Sequence, residues 1–234
     1  VTDVDDTTVH AADDTADTSS VVIAIDGPAG AGKSTVGRAI AADLDVGYLD
    51  TGAMYRAVTF AVLRRGVDPV DVDAVGEVST SIDLDIADVD GATRIVVDGI
   101  DATVDIRGRE VTASVSAVAA NSAVRAEMVD RQRQWVEQHG GGVVEGRDIG
   151  SVVFPDADLK LFVTASARVR AERRVAEIGG DVDEVEASII ERDRKDSTRA
   201  DSPLLEALGA TVVDTTGLSI DAVVNRILQM LPGR

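Results

Sequence analysis

Val21-Val22-Ile23-Ala24-Ile25-Asp26-Gly27-Pro28-Ala29-Gly30-Ala31-Gly32-Lys33-Ser34-Thr35 is the stretch that decides the fold. Residues 21–25 form a continuous apolar run, rich in β-branched side chains and stopped by Asp-Gly-Pro. A short run of this kind is a strand buried on both faces, as in a parallel sheet. Residues 27–34 match G-x-x-x-x-G-K-[ST] at every fixed position, and a helix begins inside the match, with Val36, Ile40 and Leu44 four residues apart over 34–44. The glycines let the backbone curl until successive N–H groups face one phosphate, and the helix start adds partial positive charge. Lys33 supplies a point charge for the β- and γ-phosphates, and Ser34 a hydroxyl for Mg²⁺. Gly27, Pro28, Ala29, Gly30, Ala31, Gly32, Lys33, Ser34 and Thr35 are therefore the candidate cradle for nucleotide phosphates, with Ser34 the candidate metal ligand. A dinucleotide G-x-G-x-x-G reading fails, because Lys33, Ser34 and Thr35 follow Gly30-Ala31-Gly32 with no third glycine in place.

The same alternation continues outward. Residues 46–49 are a second short strand. A helix over 52–65 follows, with Met54, Val58, Ala61 and Val62 on one face and Gly66 as its stop. Residues 112–139 are helical with a break near Asn121-Ser122. Buried strands are predicted over 143–145 and 159–163, helices over 166–178 and 183–195, a last strand over 211–214 and a last helix over 219–230. Strands alternating with helices give an α/β fold with a parallel sheet. Residues 68–105 interrupt it. Ile82, Leu84 and Ile86 alternate with aspartates, and 93–97 and 103–106 read as further strands joined by Asp-Gly turns, so this stretch is an antiparallel insertion.

Composition narrows the function. The 234 residues suit one domain. There are 42 acidic residues against 23 basic ones, a net charge of −19, which disfavours non-specific binding to nucleic acid or to anionic lipid. The acidity is local. Residues 1–20 hold six aspartates and no base, and read as a disordered leader. Residues 68–105 hold eleven acids and one base, Arg94. With no cysteine there is no disulfide framework or thiolate metal site, and a reducing compartment fits. The only histidines, His10 and His139, do not make a metal site. No apolar run approaches the roughly 18 residues of a membrane span, and there is no basic segment followed by an apolar core at the start. A cytoplasmic monomer with small-molecule partners, and with neither nucleic acid nor membrane as a partner, is expected.

The phosphate loop alone does not separate an ATPase, a GTPase and a kinase. The guanine-reading N-K-x-D is absent. The strand at 143–145 runs into Gly146-Arg147-Asp148, which puts Arg147 and Asp148 at the strand's C-terminal end, where α/β sheets bind ligands. Twenty of the 23 bases are arginine. Arg170, Arg173 and Arg174 share one helix face, and Arg192, Asp196 and Arg199 share another if the helix over 183–195 reaches Arg199. Arginine suits bidentate phosphate recognition. The block Asp50-Thr51-Gly52-Ala53-Met54-Tyr55-Arg56 follows a strand and opens a helix, so its N–H groups and Arg56 form a second place for a phosphate. Two phosphate places on one sheet fit a nucleotide kinase. Another small-molecule P-loop kinase (UMP/CMP, adenylate or shikimate kinase) and a nucleotide-binding regulatory module remain as alternatives.

In these blocks the chain resembles the bacterial cytidylate kinases. The matching segments are 25–28 through Lys33-Ser34-Thr35, 49–56, Glu145-Gly146-Arg147-Asp148-Ile149-Gly150, 152–158, Glu191-Arg192-Asp193 with Asp196 and Arg199, and 213–219. They span about residues 21–230. The acidic leader is an extra, and Glu145 stands where some members of the family have Asp. The resemblance implies a P-loop nucleoside-monophosphate (NMP) kinase fold, α/β, with a five-stranded parallel sheet, flanking helices, an inserted small antiparallel β-unit and a helical lid. It divides the chain into a leader at 1–20, a core at 21–50, 107–165 and 200–234, an NMP-binding region at 51–106 with its β insertion at about 68–105, and a lid at about 166–199. It implies transfer of the γ-phosphoryl group of ATP to CMP or dCMP, with Mg²⁺. Thr51, Tyr55, Arg56, Ser116, Arg125, Arg147, Asp148, Arg192, Asp196 and Arg199 would surround the acceptor. Lys33 and Arg147 would supply charge at the reaction centre, and Arg170, Arg173 and Arg174 would close over it. A carboxylate accepts from the exocyclic amine of cytosine and repels the carbonyl of uracil. Asp148 is the candidate for that choice, with Arg125, Ser116 and Arg199 on the rest of the ring and Asp196 with Arg192 on the ribose.

Overall fold

In the computed structural model, the described residues are 21–89, 92–198 and 203–231. The expected leader at 1–20 and the candidate Arg199 lie outside them. Strand β1 (Val22–Asp26) leads into α1 (Lys33–Leu44), β2 (Tyr48–Asp50) and α2 (Thr51–Arg64). Next come α3 (Val72–Ser81), β3 (Leu84–Val89), β4 (Ala92–Val97) and β5 (Ile100–Asp101). Helices α4 (Arg109–Val118) and α5 (Ser122–His139) lead to β6 (Gly142–Gly146) and β7 (Leu159–Thr164). Helices α6 (Ala167–Ile178) and α7 (Val182–Ser197), strand β8 (Thr211–Asp214) and helix α8 (Ile220–Leu228) complete the order.

The main sheet has the order β2-β6-β1-β7-β8, and every pair in it is parallel. β1 is its middle strand, bonded to β6 on one side and β7 on the other, which explains the unbroken apolar run. Its side chains alternate between two cores. Ile23 and Ile25 pack with Val36 and Ile40 of α1 and Val223 and Ile227 of α8. Ala24 faces the opposite core, which holds Val58 of α2, Met128 of α5 and Ile149. Gly27 ends the strand because nothing larger fits. A Cβ there would lie 1.9 Å from the Val163 carbonyl oxygen of β7, and its φ of +144° is one that side chains rarely adopt.

The insertion is a three-stranded antiparallel sheet of order β3-β4-β5, with Leu84 opposite Val97 and Ile86 opposite Ile95. Ile95 and Val97 turn inward and join the α2 core. Two expectations for residues 68–105 need correction. Its first part holds a helix, α3, capped by Asp71, whose side chain accepts from the Ala74 amide at 3.1 Å. The strand expected at 103–106 is absent. Ladder pairing stops at Asp101, the Thr103 hydroxyl accepts from the Ile95 amide, and Asp105–Arg107 is a 3₁₀ turn.

The break expected near Asn121 is a cap. Its side chain accepts from the amides of Ala123 and Val124 and donates to the Val72 carbonyl at 2.8 Å, joining the starts of α5 and α3. Losing a buried cap together with a tertiary hydrogen bond costs about 2 kcal/mol. Asn121→Ala should therefore lower the urea midpoint of unfolding by that equivalent. A midpoint equal to wild type would contradict the cap's role.

Candidate active site

The C-terminal ends of β1, β2 and β6 open into a cleft of about 990 Å³. Helix α1 starts at its wall and differs from most of the other helices; α4, starting at Gly108, also lacks a side-chain cap but carries Glu110 in its first turn. Side chains cap α2 (Asp50), α3 (Asp71), α5 (Asn121), α6 (Ser166), α7 (Asp181) and α8 (Ser219). The N-cap of α1 is Gly32, left-handed with φ 92°, with no side-chain bond and no acid in the first turn. Its first amides are thus left for an anion. Ala29, Gly30, Gly32, Lys33, Ser34 and Thr35 line the cleft, whereas Gly27, Pro28 and Ala31 lie beneath it as the loop's support.

Lys33 is buried and its ammonium donates to the Pro28 carbonyl at 2.9 Å. Burial, with Arg147 adding like charge, pushes its amine down to about 8. The Ser34 hydroxyl donates to Glu145 Oε1 at 2.7 Å. Burial, with Asp50 adding negative charge, pushes the Glu145 carboxyl up, while Lys33 opposes the shift. Glu145 Oε2 is buried and has no hydrogen-bond partner among the described residues. Thr51 is bonded to the Glu145 carbonyl at 2.7 Å, so the start of α2 is fastened to β6.

Beyond β6, Arg147 donates to the Gly27 carbonyl, and its Nε lies 3.1 Å from Asp196 of α7. Burial lowers its pKa, against the opposing charge of Asp196. Arg192 approaches the same carboxylate at 4.0 Å, and Asp196 is 1% exposed. Asp148 forms a buried ion pair with Arg125 of α5, whose guanidinium stands over the Tyr55 ring at 5.9 Å. Ser116 of α4 lines the same wall. Arg56 reaches from α2 to the Ile106 carbonyl and the Thr112 hydroxyl. The amides expected beside it are not all available, since Asp50 already bonds that of Ala53 at 3.0 Å. A phosphate on this side would be met chiefly by arginine side chains.

The three arginines of α6 share a face in sequence but not an environment. Arg170 is 5% exposed and donates to Ala165 O, Ala29 O and Asp193 of α7. Arg173 is bonded to the Thr215 carbonyl at 3.0 Å and its hydroxyl at 3.1 Å. Arg174 is exposed, near Glu177 at 3.4 Å. All three line the cleft. In the sequence, Asp26, Glu145, Asp193 and Thr215 stand only as members of matching blocks, with no role assigned to any of them. Thr215 donates to the Ala31 carbonyl at 3.0 Å, and Asp26 accepts from the amides of Ile149 and Gly150 at 2.7 and 2.8 Å. Burial raises the Asp26 carboxyl to about 6, against the pull of the two amides. The signal for Glu145 was its place beside Gly146-Arg147-Asp148 at a strand end, but the other partners are far apart in the chain and leave no local mark.

The family model for cytidylate kinase matches residues 23–232. The chain belongs to the cytidylate kinase family. It is 46% identical to the cytidylate kinase of Corynebacterium efficiens over 215 residues, covering 90% of this chain and 94% of that one. It is 47% identical to the cytidylate kinase of Mycobacterium leprae over 221 residues, covering 92% and 97%. A crystal structure of an uncharacterized protein from Eubacterium ventriosum shares the fold, with TM-score 0.53 and 10% identity over 92% of this chain and 99% of that one. As a member of the cytidylate kinase family the chain is a kinase, a phosphotransferase. Among the described residues no helix is long and apolar enough to cross a membrane.

The environments of the α6 arginines predict different consequences. Arg170→Ala strands Asp193 and frees α6 and α7 from the Ala29 carbonyl, so cleavage within 166–198 in limited proteolysis should accelerate about tenfold, equivalent to about 1.4 kcal/mol of local opening. Arg174→Ala should leave that rate unchanged. Equal rates for the two variants would contradict the assignment.

Proposed function

We propose that the chain transfers the γ-phosphoryl group of ATP to CMP and dCMP, giving CDP and dCDP. The observation that supports this reading is the meeting, in one cleft, of a phosphate loop and an arginine-carboxylate wall on family-matching blocks. The uncapped start of α1 and Lys33 take the phosphates of ATP, and Thr35 stands at the mouth of the loop. Leu218 and Ile220 line the cleft just beyond Thr215, itself bonded to the phosphate loop, and offer the adenine ring an apolar face. Arg56, Arg147 and Arg192 hold the acceptor phosphate, Thr51 and Tyr55 flank it, and Asp196 with Arg192 takes the ribose. Asp148 accepts from the exocyclic amine of cytosine, with Arg125 and Ser116 on the rest of the ring; Arg199, outside the described residues, belongs to the same proposal. Residues 166–199 act as the lid over a core at 21–50, 107–165 and 200–234, and 51–106 as the NMP-binding region.

The nucleophile is a phosphate oxygen whose second pKa is about 6, so it is mostly dianionic at neutral pH and needs no general base. The difficulty is the approach of two polyanions, and catalysis consists of alignment and charge neutralisation. Lys33 neutralises charge on the donor side and Arg147 on the acceptor side, and Arg173 and Arg174 add charge from α6 and exclude water. Arg170, committed to Ala29 and Asp193, holds α6 in place. The residues present fit Mg²⁺. The ion would be held jointly by phosphate oxygens of ATP and by a hydroxyl of the chain. The Ser34 hydroxyl would hold it, with the unpartnered Glu145 oxygen behind. When bound, Mg²⁺ neutralises charge on the β- and γ-phosphates.

ADP release measured with CMP, dCMP, UMP, AMP and GMP as acceptors tests the reading. CMP and dCMP should be preferred; binding of ATP and CMP without CDP formation would favour a binding module instead. In the same assay Asp148→Asn should lower the CMP:UMP ratio of kcat/KM at least about tenfold, the discrimination expected of one charged hydrogen bond. An unchanged ratio would remove Asp148 from base choice.

A further inference from the structure

Asp26 has no part in the chemistry described so far, yet it is 2% exposed and carries a carboxylate. Its main chain pairs with the last residue of β6 and its side chain engages the segment that follows. In the β1–β6 ladder its partner is Gly146. Its two carboxylate oxygens accept one bond each from the amides of Ile149, at 2.7 Å, and Gly150, at 2.8 Å. These amides open the π-type turn Ile149–Val153, and the start of such a turn has no internal acceptor for them. Asp26 is thus a cap supplied from more than a hundred residues away.

The consequence lies between the two attachments. Arg147 and Asp148 are the only residues between Gly146, paired with the Asp26 backbone, and Ile149, bonded to the Asp26 side chain. The dipeptide is bracketed at both ends by one residue. That residue is also joined covalently to Gly27, the first residue of the phosphate loop, whose carbonyl accepts from Arg147. The donor side and the acceptor side of the cleft therefore share a single reference point.

We propose that Asp26 is a positioning residue that sets the register of Arg147 and Asp148 against the phosphate loop. It touches neither nucleotide. It acts through the amides of Ile149 and Gly150, and its effect falls on the acceptor: on phosphate alignment through Arg147 and on base choice through Asp148. This rests on the acceptor-side reading of those two residues given above.

Asp26→Asn tests it. The amide keeps one acceptor oxygen but turns an NH₂ toward the second N–H, so one bond is lost and a donor faces a donor. The readouts are the far-UV circular dichroism spectrum, ADP affinity by calorimetry, and kcat and KM with CMP and with UMP. The variant should keep its spectrum and bind ADP within threefold of wild type. KM for CMP should rise at least tenfold, and the CMP:UMP ratio of kcat/KM should fall at least fivefold. A residue that merely supports the fold would lower the active fraction, and thus kcat, with KM and the ratio unchanged; that result overturns the proposal. If Asp26→Asn does not fold, Asp26→Glu, which keeps the charge and displaces the dipeptide by one methylene, should give the same KM and ratio changes. Failure of both to fold would make Asp26 a folding residue and also overturn it. A wild-type enzyme with no preference for CMP would refute the proposed acceptor instead, and is read in the same assay before any variant is made.

Discussion

Strand β1 is hydrogen bonded to β6 on one side and to β7 on the other, all three parallel, and the cleft is built from what happens where they end. Parallel strands deliver their C-terminal ends to one edge, so the phosphate loop after β1 and the Arg147–Asp148 segment after β6 become neighbours, and the Asp26 carboxylate fastens the second to the first. The close approach to β7 then dictates Gly27, since a Cβ there would meet the Val163 carbonyl. The loop then turns through Gly27, Gly30 and Gly32, all at positive φ, and Gly32 leaves the first amides of α1 without a side-chain cap.

Charge is distributed to match. Around the cleft the cations are committed to partners: Arg125 to Asp148, Arg147 to Asp196, Arg170 to Asp193. Pairing of this kind is rarely a source of net stability, because desolvation offsets the Coulombic attraction, but breaking one member of a buried pair is costly. Each pair therefore holds an arginine at a fixed place in the cleft proposed to receive two polyanions. The acidity of the chain sits elsewhere, with eleven of its acids in residues 68–105, which explains how a protein of net charge −19 can present a phosphate-handling site.

The parts of this arrangement that were legible in the sequence are those with local causes. The phosphate loop, the alternation of strand and helix, and the helix break near Asn121 each depend on residues within a few positions of one another, whereas the bond from Asn121 to Val72 does not. Helix α3 was missed because Gly76, Ser79 and Thr80 are weak helix formers and the aspartate alternation of β3 begins just after it, so the strand pattern extends over it by eye. The strand expected at 103–106 has the right residues, but Ile106 turns back to the Ala102 carbonyl rather than continuing the ladder. The α6 arginines were found, but periodicity shows only a shared face; which of them is buried depends on Asp193 and Ala29, contacts that form only after folding. The same holds for Asp26 and its two amides.

The proposed phosphoryl transfer requires donor and acceptor nucleotides to occupy one continuous cleft with their phosphates end to end. It is tested most directly by calorimetry with a single ligand that joins adenosine and cytidine 5′ to 5′ through five phosphates. Linking two sites that are engaged together makes the second contact intramolecular, so the ligand should bind one to one and about 100-fold tighter than ATP alone. Binding no tighter than ATP, or two ligands per chain, would contradict the arrangement.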